Sequence, residues 1–177
     1  MDNNLQAKIK KIKLLLTDVD GVLTDGKIVV SDSGCESKNF DVRDGHGIRL
    51  LIRSGIDVII LTGRASALLK IRTNDLGISE IHQGVWNKLT CFEEIANRRG
   101  IAFDEVCFIG DDIVDVPLLR RVGVSFAPAN AVDEVKKVVS HVTAKDGGNG
   151  AVREVCEMIL KGNGSWQNII AHYELGH

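Results

Sequence analysis

A chain of 177 residues with 44% hydrophobic residues has apolar material for one cored domain over 1–177 and no room for a second. Its formal net charge of -2 supplies no field that would draw nucleic acid or an anionic membrane, so neither is expected as a partner. No apolar run approaches the about 20 residues of a membrane span, or the core of a signal peptide. The cysteines Cys35, Cys91, Cys107 and Cys156 are scattered without paired spacing, so the expectation is a cytoplasmic protein with reduced thiols.

In chain order, Lys8, Lys10, Lys11 and Lys13 read as a solvated lead into the first strand. Residues 14–24, LLLTDVDGVLT, then form an apolar run that stops at Asp18, with Asp20 two positions on and Gly21 opening a turn. Segments 27–30 and 36–40 flank the turn-rich SDSG, which predicts a β-hairpin over 27–40. Helical spacing follows at 47–54, and a strand at 56–61 runs into Thr62, Gly63 and Arg64. A helix at 65–76 and a strand at 80–83 lead to Lys88, which opens a helix over 89–99. The strand at 106–109 ends in Gly110, Asp111, Asp112 and Asp115, ahead of a helix at 113–122. A strand at 124–127, a helix at 132–139, a short strand at 141–143 and a helix at 151–160 complete the alternation. Gly162 to Ser165, GNGS, reads as a flexible break before a tail, 166–177, that is either mobile or docked. Strands alternating with helices imply right-handed crossovers and a mainly parallel sheet, hence an α/β fold.

Taken singly, each polar strand end has an ordinary explanation: a turn, a helix cap, a solvated lysine. The ordered set Asp-x-Asp, Thr, Lys, Gly-Asp-Asp resembles the haloacid dehalogenase superfamily of phosphohydrolases over nearly the whole chain. DVDGVLTDG, FDVRDGHGI, LTGR, QGVWNKL, GDDIVD and GGNGAVREVC are similar, more narrowly, to the 3-deoxy-D-manno-octulosonate 8-phosphate phosphatases. The 2-keto-3-deoxynononate 9-phosphate phosphatases are close neighbours. The resemblance implies a Rossmann-like, doubly wound parallel sheet of strand order 3-2-1-4-5, which brings Asp18 and Asp111 to one crevice.

Clustered acids repel and raise one another's proton affinity unless a cation neutralises them, and hard oxygens beside a phosphate select Mg²⁺. By the resemblance, the Asp18 carboxylate, the Asp20 backbone carbonyl and Asp111 hold the ion, with Asp112 and Asp115 as outer, orienting groups. Asp18 is then the nucleophile and Asp20 the acid that protonates the leaving oxygen and later activates water. Thr62, the Gly63 amide and Lys88 serve the phosphate. Arg64 is expected to bind the sugar-acid carboxylate: the octulosonate enzymes resemble this chain in having Arg there, whereas the nonulosonate enzymes tend to carry Glu.

In GGNGAVRE the third glycine of a dinucleotide loop falls on Arg153, so a glycine-rich helix start is the better reading, with anion binding as the alternative. His46 and His82 read as structural, and Trp86 as either lining the site or packing beneath the Lys88 loop. Neither the 24–62 nor the 62–88 interval has room for an inserted lid, so the site is capless. A lone exposed hairpin is marginal. The resemblance implies a homotetramer, with Arg153 or the tail after Gly162 lent to a neighbouring site. A phosphatase of a small sugar-acid phosphate in lipopolysaccharide precursor synthesis leads, against an idle oligomerisation module or a capless phosphatase for macromolecules.

Overall fold

The computed structural model describes residues 3–173. Its centre is β1 (Leu14–Thr17), all four residues of which are buried. Full burial on both faces is what a run of Leu14, Leu15 and Leu16 requires of a central parallel strand. β1 pairs in parallel with β4 (Asp57–Thr62) on one side and β6 (Val106–Ile109) on the other. With β5 (Glu80–Gln83), β7 (Val124–Ala127) and β8 (His141–Val142), the sheet order is β5-β4-β1-β6-β7-β8. The first five are the expected 3-2-1-4-5 order, and the short strand at His141 adds a sixth at the edge.

Alternation sorts these strands between two cores. Leu15, Ile60, Cys107, Ile109 and Phe126 face a layer made by α2 (Val42–Arg53), α3 (Ala67–Leu76) and α7 (Ala151–Gly162). Leu14, Leu16, Ile59, Leu61 and Phe108 face α4 (Lys88–Arg99), α5 (Val116–Leu119) and α6 (Asp133–Lys136). The sheet is therefore doubly wound, and β1 and β6 lie side by side where the winding reverses. The hairpin stands apart as a second sheet, β2 (Val29–Val30) antiparallel to β3 (Glu36–Ser37).

Four expectations are corrected. The lysine-rich lead begins inside a helix, α1 (Asn3–Ile9), which includes Lys8 and whose Ile9 is fully buried in the α2/α7 core. Helix α2 begins well before residue 47, because Asp41 caps it by accepting from the Arg43 amide at 2.6 Å; internal Gly45 and Gly47 disguise the helical pattern. The helix expected over 113–122 is a 3-10 turn at Ile113–Asp115 followed by the short α5, which starts beside Pro117. Gly162 is no flexible break. It is the buried last residue of α7, and a β-carbon there would lie 2.4 Å from Ile9 Cγ2. The chain resumes as α8 (Ser165–His172), with Trp166 and Ile169 against the core, so the tail is docked at least this far; residues 174–177 lie outside the described residues.

The Ile9–Gly162 contact ties the first and last helical layers together. Ile9→Ala is expected to destabilise the fold by about 2–5 kcal/mol in urea unfolding, and a loss under about 0.5 kcal/mol would mean that α1 contributes no packing.

Candidate active site

Asp18 follows β1 directly, and its amide donates to the Ile109 carbonyl at 3.1 Å, which holds the ends of β1 and β6 together. The turn that follows carries Gly21 at φ +85°, with the Asp111 carboxylate packed on its bare α-carbon; a β-carbon there would stand 2.0 Å from Asp111 Oδ2. The carboxylate oxygens of Asp18, Asp111 and Asp115 all come within 4.8 Å of one another. Lys88 enters this group from the first position of α4, whose cap is the Asn87 side chain accepting from the Thr90 amide at 3.1 Å. Its ammonium lies 2.6 Å from Asp18 Oδ2 and 2.6 Å from Asp115 Oδ1, and its side chain is 2% exposed. The Phe108 ring lies beneath it, 5.9 Å from centroid to nitrogen.

One cation among three carboxylates leaves a net negative site. Burial pushes the Asp18 pKa up to about 6, with Lys88 pulling it down and Asp115 pushing it up. Burial pushes Asp111 up to about 7, with Asp18 and Asp115 adding to the rise. Burial alone would lower Lys88, but its two carboxylates outweigh that and carry it above the usual lysine range. Hard oxygens, incomplete neutralisation and acids held against their preference for protonation are the donor set that a small divalent cation fits. Asp115 is fully buried and points inward: Oδ1 takes Lys88, while Oδ2 accepts from the Asp111 amide at 3.0 Å and the Asp112 amide at 3.4 Å. Asp112 turns away, accepting instead from the Ile113 amide at 2.6 Å.

Thr62 ends β4 at the neighbouring strand tip, buried, with its hydroxyl facing the Arg64 amide at 3.4 Å and its carbonyl accepting from Val85 at 3.0 Å. Gly63 continues the same tip, with the Val85 carbonyl 3.8 Å from where a β-carbon would lie. The Arg64 guanidinium is half exposed; Nε sits 3.7 Å from Asp20 Oδ2 and Nη2 donates to Glu36 Oε1 at 2.9 Å. Asp20 also receives a hydrogen bond on Oδ1 from Lys38, at the foot of the hairpin. Glu36 and Lys38 were not singled out in the sequence, where the hairpin offered only turn residues and sparse apolar positions.

Arg153 is not among these groups. Its Nε donates to Glu157 at 2.7 Å and its guanidinium carbon lies 5.9 Å from the Trp166 centroid, so within this chain it belongs to the packing of α7 and α8. His82 pairs with Glu80 at 2.8 Å. Trp86 is 81% exposed and packs under no loop.

The glycine-rich segment before α7 is a buttress for the turn after Asp18. The Gly148 amide donates to the Val22 carbonyl at 2.9 Å, and a β-carbon on Gly147 would lie 1.8 Å from the Gly21 carbonyl oxygen. Asp44 of α2 fastens it from behind, accepting from the Arg153 amide at 2.7 Å and the Gly150 amide at 3.3 Å. The signal in sequence was the run of small residues; the Asp44 partner, more than a hundred positions away, gave none.

Comparison with known proteins places this geometry. The family model for haloacid dehalogenase-like hydrolases matches residues 65–155. The chain is 44% identical over 161 residues to an Escherichia coli 3-deoxy-D-manno-octulosonate 8-phosphate phosphatase, covering 91% of this chain and 86% of the relative. The crystal structure of that phosphatase from Moraxella catarrhalis, in complex with a magnesium ion, a phosphate ion and a KDO molecule, superposes with TM-score 0.96 at 42% identity, covering 98% and 99% of the two chains. A cobalt-bound Haemophilus influenzae deoxy-D-mannose-octulosonate 8-phosphate phosphatase gives TM-score 0.85 at 43% identity, over 89% and 92%.

Burial pushes the Asp44 pKa up to about 6, against the pull of the Arg153 and Gly150 amides. A carboxyl whose folded pKa is raised favours folding fully below its unfolded pKa near 4, and that contribution is lost as pH rises through about 6. Relative to Asp44→Asn, the wild type should therefore lose roughly 1–3 kcal/mol between pH 4 and pH 7. Urea unfolding of both proteins across that window checks it; a constant or opposite difference would refute it.

Proposed function

The chain belongs to the haloacid dehalogenase-like hydrolases, and we propose from that premise that it is a Mg²⁺-dependent phosphomonoesterase acting on 3-deoxy-D-manno-octulosonate 8-phosphate. The observation that carries this reading is the buried Lys88 ammonium bridging Asp18 and Asp115 at the β1/β6 crevice, with Asp111 beside it. A carboxylate so held is a nucleophile facing a site made for a phosphate and a cation. The relatives' shared name, and the magnesium, phosphate and KDO bound by the Moraxella catarrhalis protein, support the same substrate here.

Asp18 and Asp111, with the Asp20 main-chain carbonyl, would hold Mg²⁺, and Asp115 orients the group through the Asp111 amide. When bound, the ion offsets the negative charge shared by nucleophile and phosphate. The Asp18 carboxylate bonds to phosphorus as the ester P–O bond breaks, and the sugar oxygen, keeping that electron pair, takes a proton from Asp20. Asp20 then removes a proton from the water that cleaves the aspartyl phosphate. Lys88, the Thr62 hydroxyl and the Gly63 amide donate to the phosphoryl oxygens, where charge spreads in the transition state.

Arg64 stands on the Asp20 side, where the leaving group departs, with part of its guanidinium fork free of Glu36. A substrate carboxylate at the far end of the sugar fits that fork. Neither the β1–β4 interval nor the β4–α4 interval holds a lid among the described residues; they contain the hairpin with α2, and α3 with β5. Cover is therefore assigned to other copies. The hairpin's exposed Ile28, Val29 and Val30 supply an apolar surface for a homotetramer of one-domain chains. No helix of the described residues is long and apolar enough to cross a membrane, and the small anionic substrate suits a cytoplasmic site.

Phosphate release from the sugar-acid phosphate should stop with chelator and return with Mg²⁺. Asp18→Asn, nearly isosteric but a poor nucleophile, should fall below about one thousandth of wild-type turnover while keeping its fold; turnover near wild type would rule out the aspartyl phosphate.

Arg64→Ala should cost a charge-assisted bond of roughly 1.5–3 kcal/mol on the sugar-acid phosphate, about a ten- to hundred-and-fifty-fold loss in kcat/KM. Mannose 6-phosphate has a comparable alkyl leaving oxygen and no carboxylate. Equal losses on the two substrates would remove the carboxylate role.

A further inference from the structure

We propose that Lys38 is the positioning residue of the catalytic acid, fixing Asp20 by its Oδ1 so that Oδ2 is the oxygen that meets the leaving group; this rests on the phosphatase reading above. Lys38 comes immediately after β3, and its side chain is 2% exposed although the hairpin above it is largely solvated. The ammonium donates to Asp20 Oδ1 and sits 3.7 Å from Glu36 Oε1. Glu36 in turn accepts from Arg64 Nη2 at 2.9 Å, while Arg64 Nε remains 3.7 Å from Asp20 Oδ2. One carboxylate oxygen is thus engaged by a buried cation, and the other faces the rim without a full hydrogen bond.

Such asymmetry suits an acid. Asp20 lies on a turn beside Gly21, which takes φ +85°, and its carboxylate is engaged by Lys38 and faced by Arg64. An acid must hold its proton within hydrogen-bond reach of one oxygen, and a displacement of about 1 Å can cost on the order of a hundredfold. With Oδ1 engaged by Lys38, Oδ2 is the oxygen left toward the leaving group. As the Asp18–phosphorus bond forms and the ester P–O bond breaks, the electron pair stays on the leaving oxygen, which takes the Oδ2 proton. Asp20, now anionic, takes a proton from the incoming water. Lys38 touches neither substrate nor phosphorus; it acts through Asp20, and through it the hairpin foot is part of the acid's mounting.

Leaving-group dependence separates this role from a structural one. A sugar alkoxide needs protonation as it departs, whereas p-nitrophenolate leaves readily without it, and kcat/KM reports the first phosphoryl transfer. We would measure kcat/KM on an alkyl sugar phosphate and on p-nitrophenyl phosphate, with Mg²⁺, for wild type, Lys38→Met, Lys38→Arg and Asp20→Asn. The expected result is that the alkyl-to-aryl ratio falls roughly tenfold or more in Lys38→Met, in the same sense as in Asp20→Asn, and is largely restored in Lys38→Arg. If Lys38→Met does not fold, Lys38→Gln carries the same comparison. A selective loss in Asp20→Asn with an unchanged ratio in the Lys38 variants would overturn the positioning role alone. An unchanged ratio in Asp20→Asn would overturn the acid assignment and Lys38 with it. A wild type that cleaves neither ester would instead overturn the phosphatase reading.

Discussion

A single buried ammonium organises the catalytic end of this protein. Lys88 is placed at the first turn of a helix, where the dipole disfavours a cation, and it is almost completely withdrawn from water. Only the two carboxylates within 2.6 Å, Asp18 and Asp115, make that position tenable. The dependence runs both ways, since removing the ammonium would strand two buried acids. Such a removal typically costs about 3–5 kcal/mol, while an apolar replacement of a whole buried ion group is often neutral or stabilising. Stability is therefore a poor reason for the arrangement. Charge poised beside Asp18 for the proposed chemistry is a better one.

The fold supplies the site's coordinates through the sheet rather than through the loops. β1, β4 and β6 are in parallel register, so Asp18, Thr62 and the Gly110–Asp111 step emerge at one edge, at the point where the winding reverses. Close backbone approach then does what side chains cannot. Gly21 leaves room for the Asp111 carboxylate, and Gly147 lets the segment before α7 press on the Gly21 carbonyl. Asp44 locks that segment to α2, so the turn after Asp18 is braced from the helical layer as well as from the sheet.

Much of this was legible because it is local. Short apolar runs ending in Asp18, Thr62 and Asp111 announce both the strands and their chemistry, and alternation with helices dictates a parallel sheet. What escaped the sequence is either non-local or disguised. Lysines surrounding Ile9 hide a docked helix whose partner, Gly162, lies at the other end of the chain. Gly162 itself reads as a break when judged by its neighbours, but its smallness serves packing. Arg153 sits in a sequence that suggests a ligand site, yet it is taken up by Glu157 and Trp166. Lys38 belongs to a hairpin whose composition is that of solvent-exposed chain, and no periodicity predicts that its ammonium turns inward onto Asp20.

That last contact explains how two aspartates separated by one residue can do different work. Asp18 and Asp20 share a turn, so intrinsic chemistry cannot distinguish them; their partners do. Asp18 is buried with Lys88 and two further carboxylates, and its amide is bonded to the β6 end, a fixed setting that suits the nucleophile's role proposed for it. Asp20 is less buried, is held by Lys38 from the hairpin and faces Arg64 at 3.7 Å, which leaves one oxygen without a full hydrogen bond. In the proposed mechanism the same residue type would serve as nucleophile and as acid because α4 delivers one lysine and the hairpin delivers another. On the proposed role of Lys38 the hairpin foot would serve the catalytic acid, while the strands above it stay exposed.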